Sequence, residues 1–192
     1  MDLAPLISSF GIVALAEFGD KTQLAAISLA ARCGALPVFF GAMLAVLLVD
    51  GLSVLLGGAL AELLPKTWVS AGSGLVFIFF GVYTLLSRGG GEVEIVDRKS
   101  AVVTSFSLIA LMELGDKTQF ASIALAARYG SPALVITGIA LAYLLAMGTG
   151  VTLGAGLLKL VPARYLRICS SAIFILFGAA FLLSAVAGMV SL

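Results

Sequence analysis

Four acidic residues and two lysines lie inside otherwise apolar stretches of this sequence. They occur with identical spacing as Glu17, Asp20 and Lys21, and again as Glu113, Asp116 and Lys117. A threonine and a glutamine follow each lysine, so the two stretches read EFGDKTQ and ELGDKTQ. Carboxylate, hydroxyl and amide oxygens are the ligands that Ca²⁺, Mn²⁺ and Mg²⁺ prefer. The pattern predicts a site for such a hard divalent cation, and the absence of histidine argues against zinc or copper.

Eight side chains are predicted to supply oxygens to this cation: Glu17, Asp20, Glu113, Asp116, Thr22, Gln23, Thr118 and Gln119. The threonines could equally well donate to backbone carbonyls of their own helices. On a continuous helix Glu17, Asp20 and Lys21 share one face, so Lys21 is expected to pair with Glu17 one turn earlier. A glycine inside each motif allows close backbone approach or local unwinding of the helix.

The charges of the two motifs together suggest a mechanism. Four ionised carboxylates and the two lysines, Lys21 and Lys117, leave a net charge of −2, which one divalent cation or two protons would neutralise. Carboxylates crowded into a poorly solvated place bind protons more readily, so protons compete with the cation. The hypothesis is an exchange of metal for protons by alternating access, with the lysines as counter-ions.

Asp50 is a further acidic residue in the middle of an apolar stretch, and its counterpart in the second half of the chain is Met147. Ionisable residues inside a membrane are functional candidates by default, because a charge there is costly. Three roles are open for Asp50: a proton relay, a fifth acid of the cation site, or a partner of Lys21 or Lys117.

Composition indicates where these motifs must lie. Of the 192 residues, 61% are hydrophobic and 11% are charged, whereas soluble domains carry about 25% charged residues. Six apolar runs, each long enough to cross a bilayer, cover about 3–31, 37–61, 67–87, 102–127, 133–158 and 165–187. The sequence predicts an all-α integral membrane protein with six transmembrane helices. A net charge of +1 excludes nucleic acid as a partner.

The chain is built from two related halves. Residues 16–32 and 112–128 share twelve identities in seventeen positions, and glycine matches continue at an offset of 97. This predicts a three-helix repeat at 1–87, a linker at 88–101 and a second repeat at 102–192. Three is an odd number, so the second repeat must enter the membrane from the opposite side. Such inverted-topology repeats are typical of transporters whose substrate site lies at the membrane midplane.

Basic residues predict the orientation. With the N-terminus outside, the inner loops carry seven lysines and arginines and the outer loops carry two. Cytoplasmic loops are enriched in these residues, so both termini are expected outside and the central linker in the cytoplasm. The N-terminus lacks the basic region of a signal peptide, so the first apolar segment is expected to be retained. A homo-oligomer is compatible with the sequence.

The doubled E-x-G-D-K-T motif in a chain of this size resembles the Gdt-type family of divalent cation/proton antiporters. The resemblance covers essentially the whole chain, and both motifs match without departure. It implies no enzymatic activity, no permanent cofactor, and motif acids that bind the transported cation and the proton. The short linker resembles the bacterial branch, which implies export of Mn²⁺, or of Ca²⁺, across the inner membrane. Two alternatives remain at this point: an exporter of amino acids or other small solutes, and a membrane scaffold that transports nothing.

Overall fold

The computed structural model describes residues 2–86, 101–153 and 163–190. Within these residues every element is a helix, as predicted. The helices are α1 (Ala4–Glu17), α2 (Lys21–Cys33), α3 (Ala35–Leu63), α4 (Lys66–Leu86), α5 (Ala101–Glu113), α6 (Lys117–Tyr129), α7 (Pro132–Leu153) and α8 (Ala163–Val190). The last four helices repeat the order of the first four. Apart from Ala101, the predicted linker at 88–101 lies outside the described residues.

The first and fourth predicted segments are each divided into two helices at the polar motif. Helix α1 ends at Glu17 and α2 begins at Lys21, and the same interruption separates α5 from α6. Gly19 and Gly115 both have a φ of 77°, a left-handed conformation that only glycine adopts readily. Of the two uses predicted for these glycines, the structure therefore shows the interruption of the helix. The shared face predicted for a continuous helix is wrong, because the helix is interrupted between Glu17 and Lys21.

Three of the described helices contain a stretch that is long and apolar enough to cross a membrane: Ala35–Leu63, Pro132–Thr152 and Ser171–Met189. The short helices α1 and α5 are also apolar. Large leucine side chains on α3, among them Leu48, Leu52 and Leu55, point outward and are more than half exposed. Apolar residues on the outside and polar residues at the centre suit a protein that is surrounded by lipid.

Helices from the two halves of the chain interleave instead of forming two separate bundles. Helix α1 packs against α7, α3 packs against α5, and α4 runs along α8. Glycines make these contacts close: a Cβ on Gly41 would collide with Ser105 and Val102 of α5, and a Cβ on Gly138 would collide with Ser9 and Leu6 of α1. The two collisions involve equivalent positions, so each half packs on the other in the same way. This reciprocal packing brings the two polar motifs together.

Candidate cation site

The two motifs share one backbone geometry. In the first motif the Gly19 amide donates to the Gln23 side-chain oxygen at 2.7 Å, and the Asp20 amide donates to the Glu17 carbonyl at 3.1 Å. The second motif has the same two bonds, from Gly115 to Gln119 at 2.7 Å and from Asp116 to Glu113 at 3.1 Å. These bonds satisfy backbone groups that the interruption would leave unpaired.

Each lysine pairs with the aspartate of the other motif. Lys21 Nζ lies 2.8 Å from Asp116 Oδ1, and Lys117 Nζ lies 2.5 Å from Asp20 Oδ2. The prediction that Lys21 pairs with Glu17 is therefore wrong. Because the helix is interrupted at Gly19, the Lys21 side chain reaches Asp116 of the other half instead. The crossed pairs place Asp20 and Asp116 side by side.

Three carboxylates converge on one point. Each of Glu17, Asp20 and Asp116 contributes one oxygen to a group whose atoms all lie within 4.8 Å of one another. We call this group the acidic triad. It contains three of the four predicted acids. The Asp20 side chain is 26% exposed, whereas Glu17 is fully buried, so the triad extends inward from an accessible rim.

The ammonium group of Lys117 lies within the acidic triad. Its Nζ is 2.5 Å from Asp20, 3.3 Å from Asp116 and 3.8 Å from Glu17. Lys21 is the equivalent residue of the first motif, but among the acids that the structure describes it pairs with Asp116 alone, and its side chain is 46% exposed. Both lysines are predicted counter-ions, but Lys117 is buried among three carboxylates, whereas Lys21 lies at the edge of the triad.

The buried carboxylate of Glu17 is held by the opposite motif. The Thr118 hydroxyl donates to Glu17 Oε1, while Glu17 Oε2 is buried without a hydrogen bond. The Thr118 hydroxyl therefore orients the Glu17 carboxylate and does not donate to a backbone carbonyl. The unpartnered oxygen leaves Glu17 with one acceptor that a cation could use.

The fourth acid, Glu113, has different surroundings. The Tyr143 hydroxyl of α7 donates to Glu113 Oε2 at 2.8 Å, and both side chains are fully buried. Thr22 lies beside Glu113, but the Thr22 hydroxyl and Glu113 Oε1 are each buried without a hydrogen bond. Glu113 therefore stands next to the acidic triad with a partner of its own.

Asp50 is fully buried on α3 and pairs with neither lysine. The Ser122 hydroxyl of α6 lies 2.6 Å from its Oδ1, and Tyr143 lies close by. The predicted alternative of a pair with Lys21 or Lys117 is wrong for this structure, since both lysines face the acidic triad. Asp50 is also not a member of that triad, and its role as a proton relay stays a prediction.

Sequence reasoning missed Tyr143 and Ser122, although a signal for both was present. Their counterparts in the first half are Val46 and Ala26. A polar residue that replaces an apolar residue in only one of two repeats indicates a function specific to that half. The same comparison with Met147 had drawn attention to Asp50.

The predicted glutamine ligands have structural partners. Besides accepting from Gly19, the Gln23 side chain donates to the Ala146 carbonyl at 2.6 Å, so both ends of its amide are bonded. Gln119 accepts from Gly115. These bonds fix the interruptions between the helices and so position Asp20 and Asp116.

One family model matches both halves of the chain. The model of the family "Divalent cation/proton antiporter GDT1" matches residues 5–92 and 101–189. A Vibrio cholerae serotype O1 protein named "Putative manganese exporter" is 33% identical over 179 residues, covering 91% of this chain and 88% of the relative.

Plant relatives are similar as well. GDT1-like protein 5 of Arabidopsis thaliana is 27% identical over 217 residues, covering 93% of this chain and 95% of its own length. Protein PAM71, chloroplastic, from the same plant is 32% identical over 164 residues, covering 68% of this chain and 44% of the relative. No solved structure matches the chain.

Proposed function

Because the chain belongs to the family of GDT1 divalent cation/proton antiporters, we propose that it exports Mn²⁺ in exchange for protons. The family is one of transporters and not of enzymes. The observation that carries the proposal is the acidic triad: three carboxylates from both halves, converging around an ammonium group. A site whose three acids hold one positive charge is suited to hold a metal cation in its place.

The acidic triad is the proposed cation site. Glu17, Asp20 and Asp116 offer hard carboxylate oxygens, which suit Mn²⁺ and Ca²⁺ alike. Mn²⁺ is the preferred substrate because the Vibrio cholerae relative is named as a manganese exporter. Ca²⁺ is the second candidate, because the ligand atoms are the same.

Lys117 gives the exchange a physical basis. Its ammonium contacts all three acids, so it balances the charge of the triad when no metal is present. A divalent cation that enters must move this ammonium aside, because two cations cannot share the same oxygens without strong repulsion. Lys117 thus favours release of the metal.

We further propose that the two halves cross the membrane in opposite directions, with both termini outside and the linker in the cytoplasm of a bacterial cell. Identical motif geometry and reciprocal packing at Gly41 and Gly138 support a pseudo-twofold arrangement. The distribution of lysine and arginine supports the orientation. The acidic triad would then lie near the midplane and open alternately to each side.

The test is cation flux in proteoliposomes whose interior is more acidic than the buffer outside. Wild-type protein is expected to accumulate Mn²⁺ faster than Ca²⁺, and the rate should fall when the pH gradient is abolished. Asp20→Asn should abolish this uptake. The matched control is Glu62→Gln, which removes an exposed acid from the end of α3 and should transport normally. Uptake that ignores the pH gradient, or that survives in Asp20→Asn, would contradict the proposal.

A further inference from the structure

One half of the site continues into a chain of polar groups that the other half lacks. Tyr143 donates to Glu113 at 2.8 Å and lies beside Asp50, and Asp50 Oδ1 lies 2.6 Å from the Ser122 hydroxyl. All four side chains are fully buried. These four side chains come from α5, α7, α3 and α6, and none of them belongs to the acidic triad.

The fold itself does not require these polar groups. The symmetry-related positions around Glu17 are occupied by Val46, Ala26 and Met147, which are the counterparts of Tyr143, Ser122 and Asp50 and are all buried. The same helix packing is therefore achieved with apolar side chains. Burial of a polar oxygen without a hydrogen bond costs free energy, and Asp50 Oδ2 has none, so packing alone does not account for Asp50.

This group of polar side chains has too few hydrogen-bond donors for its acceptor oxygens. Tyr143 has one hydrogen to donate and gives it to Glu113. Asp50 Oδ2 and Glu113 Oε1 are both buried without a hydrogen bond. The acidic groups around Asp50 are Glu113 on α5 and Asp116 at the start of α6, and none of the ion pairs in the described part of the chain reaches it. A proton on Asp50 supplies a donor and removes a negative charge.

We propose, on the basis of the proposed antiport function, that Asp50 is a proton-carrying site separate from the cation site and that Tyr143 connects it to Glu113. In one transfer the proton of the Asp50 carboxyl passes to the Tyr143 oxygen, and the Tyr143 hydroxyl proton passes to Glu113. Asp50 becomes a carboxylate, Glu113 becomes a carboxylic acid, and the tyrosine is unchanged. The reverse transfer restores the first state.

Separate routes for the cation and the proton explain why only the surroundings of Glu113 contain the additional polar side chains. The cation binds at the acidic triad, which includes Glu17 but not Glu113. Protons reach Glu113 from its other side, through Tyr143. Since Tyr143 acts through Glu113 and does not contact the triad acids by hydrogen bonding, it is a positioning and relay residue for the proton.

Two flux measurements on the same proteoliposomes separate the routes. The first is Mn²⁺ uptake driven by an acidic interior. The second is exchange of radioactive Mn²⁺ for unlabelled Mn²⁺ at equal pH on both sides, which needs the loaded transporter to reorient but no net proton movement. The variants are Asp50→Asn and Tyr143→Phe. The matched control is Thr152→Val, which removes an exposed hydroxyl from α7 that bonds only within its own helix.

Asp50→Asn is expected to reduce proton-driven uptake about a hundredfold, the lower end of what loss of a proton-transfer group causes. Tyr143→Phe should reduce it about tenfold, because a water molecule can bridge the gap in part. Both should retain metal self-exchange, which also shows that they fold. Thr152→Val should retain both activities.

Two outcomes would overturn the inference. If both variants lose self-exchange together with proton-driven uptake, Asp50 and Tyr143 serve the cation site or the fold. If both variants keep proton-driven uptake, no proton passes through them. Failure of the wild-type protein in both measurements would instead reject the proposed function, so the two failures are distinguishable.

Discussion

The two glutamates of the repeated motif occupy equivalent places in the fold but have different neighbours. Glu17 accepts a hydrogen bond from Thr118 and belongs to the acidic triad. Glu113 accepts from Tyr143 and borders Asp50. The backbone around both is the same, down to the glycine conformation and the glutamine bond. Duplication therefore set the geometry, and a few substitutions outside the motif made the halves unequal.

This difference teaches that identical motifs need not have identical functions. An exchanger has two substrates, and a symmetric site would present both of them with the same groups. In this protein one glutamate faces the buried lysine and the other faces a tyrosine and an aspartate. The asymmetry matches a division into a cation half and a proton half.

The sharpest comparison is between Glu17→Gln and Glu113→Gln. Glu17→Gln is expected to weaken Mn²⁺ binding about a hundredfold, or about 2.7 kcal/mol, because it removes a carboxylate from the acidic triad. Glu113→Gln should weaken binding much less while it impairs proton-driven transport. Titration of the purified variants with Mn²⁺ measures both affinities. Equal losses of affinity would show that the four acids form a single cation site.

A second comparison concerns the lysines. Lys117→Met is expected to tighten Mn²⁺ binding about tenfold, because it removes a cation that competes for three carboxylates. The same variant should unfold at a lower temperature without metal, since buried acids lose their counter-charge. Lys21→Met should change both quantities little, because exposed ion pairs contribute about 1 kcal/mol or less. Mn²⁺ titration and thermal unfolding with and without the metal provide the measurements, and similar changes in both variants would refute the distinction.

The smallest effect is expected for the threonines. Thr118→Val removes the hydrogen bond to Glu17 and should weaken Mn²⁺ binding about fivefold, equivalent to the roughly 1 kcal/mol of a net hydrogen bond. Thr22→Val replaces a hydroxyl that has no hydrogen bond, so binding should stay near the wild-type value. The same Mn²⁺ titration applies. A larger loss for Thr22→Val would place its hydroxyl among the cation ligands.

Much of the site could be predicted because the repeat is visible in the residues themselves. The helical membrane character follows from composition, and the family follows from the doubled motif. The convergence of acids from both motifs follows from the expectation that repeats meet at a shared site. Glu17, Asp20 and Asp116 do converge, whereas the six spans in inverted order remain a prediction.

The pairing of the lysines could not be predicted from spacing. The i, i+4 rule applies to a continuous helix, and a glycine in a left-handed conformation interrupts the helix between Glu17 and Lys21. After that interruption the direction of the lysine depends on how the two halves pack. Tyr143 was missed for a related reason, because it lies thirty residues from Glu113 in sequence and meets it only in the tertiary structure.

The interleaving of the halves has a consequence for how the protein is made. A ribosome delivers α1 to α4 first, and at that stage Asp20 lacks Lys117, Glu17 lacks Thr118, and α4 lacks the helix it runs along. The early chain thus lacks the charge partner and the hydrogen bond that the second half supplies, and Gly41 and Gly57 lack the helices that pack on them. The site is therefore completed late, and a chain that ends before α6 would lack the partners of both Asp20 and Glu17.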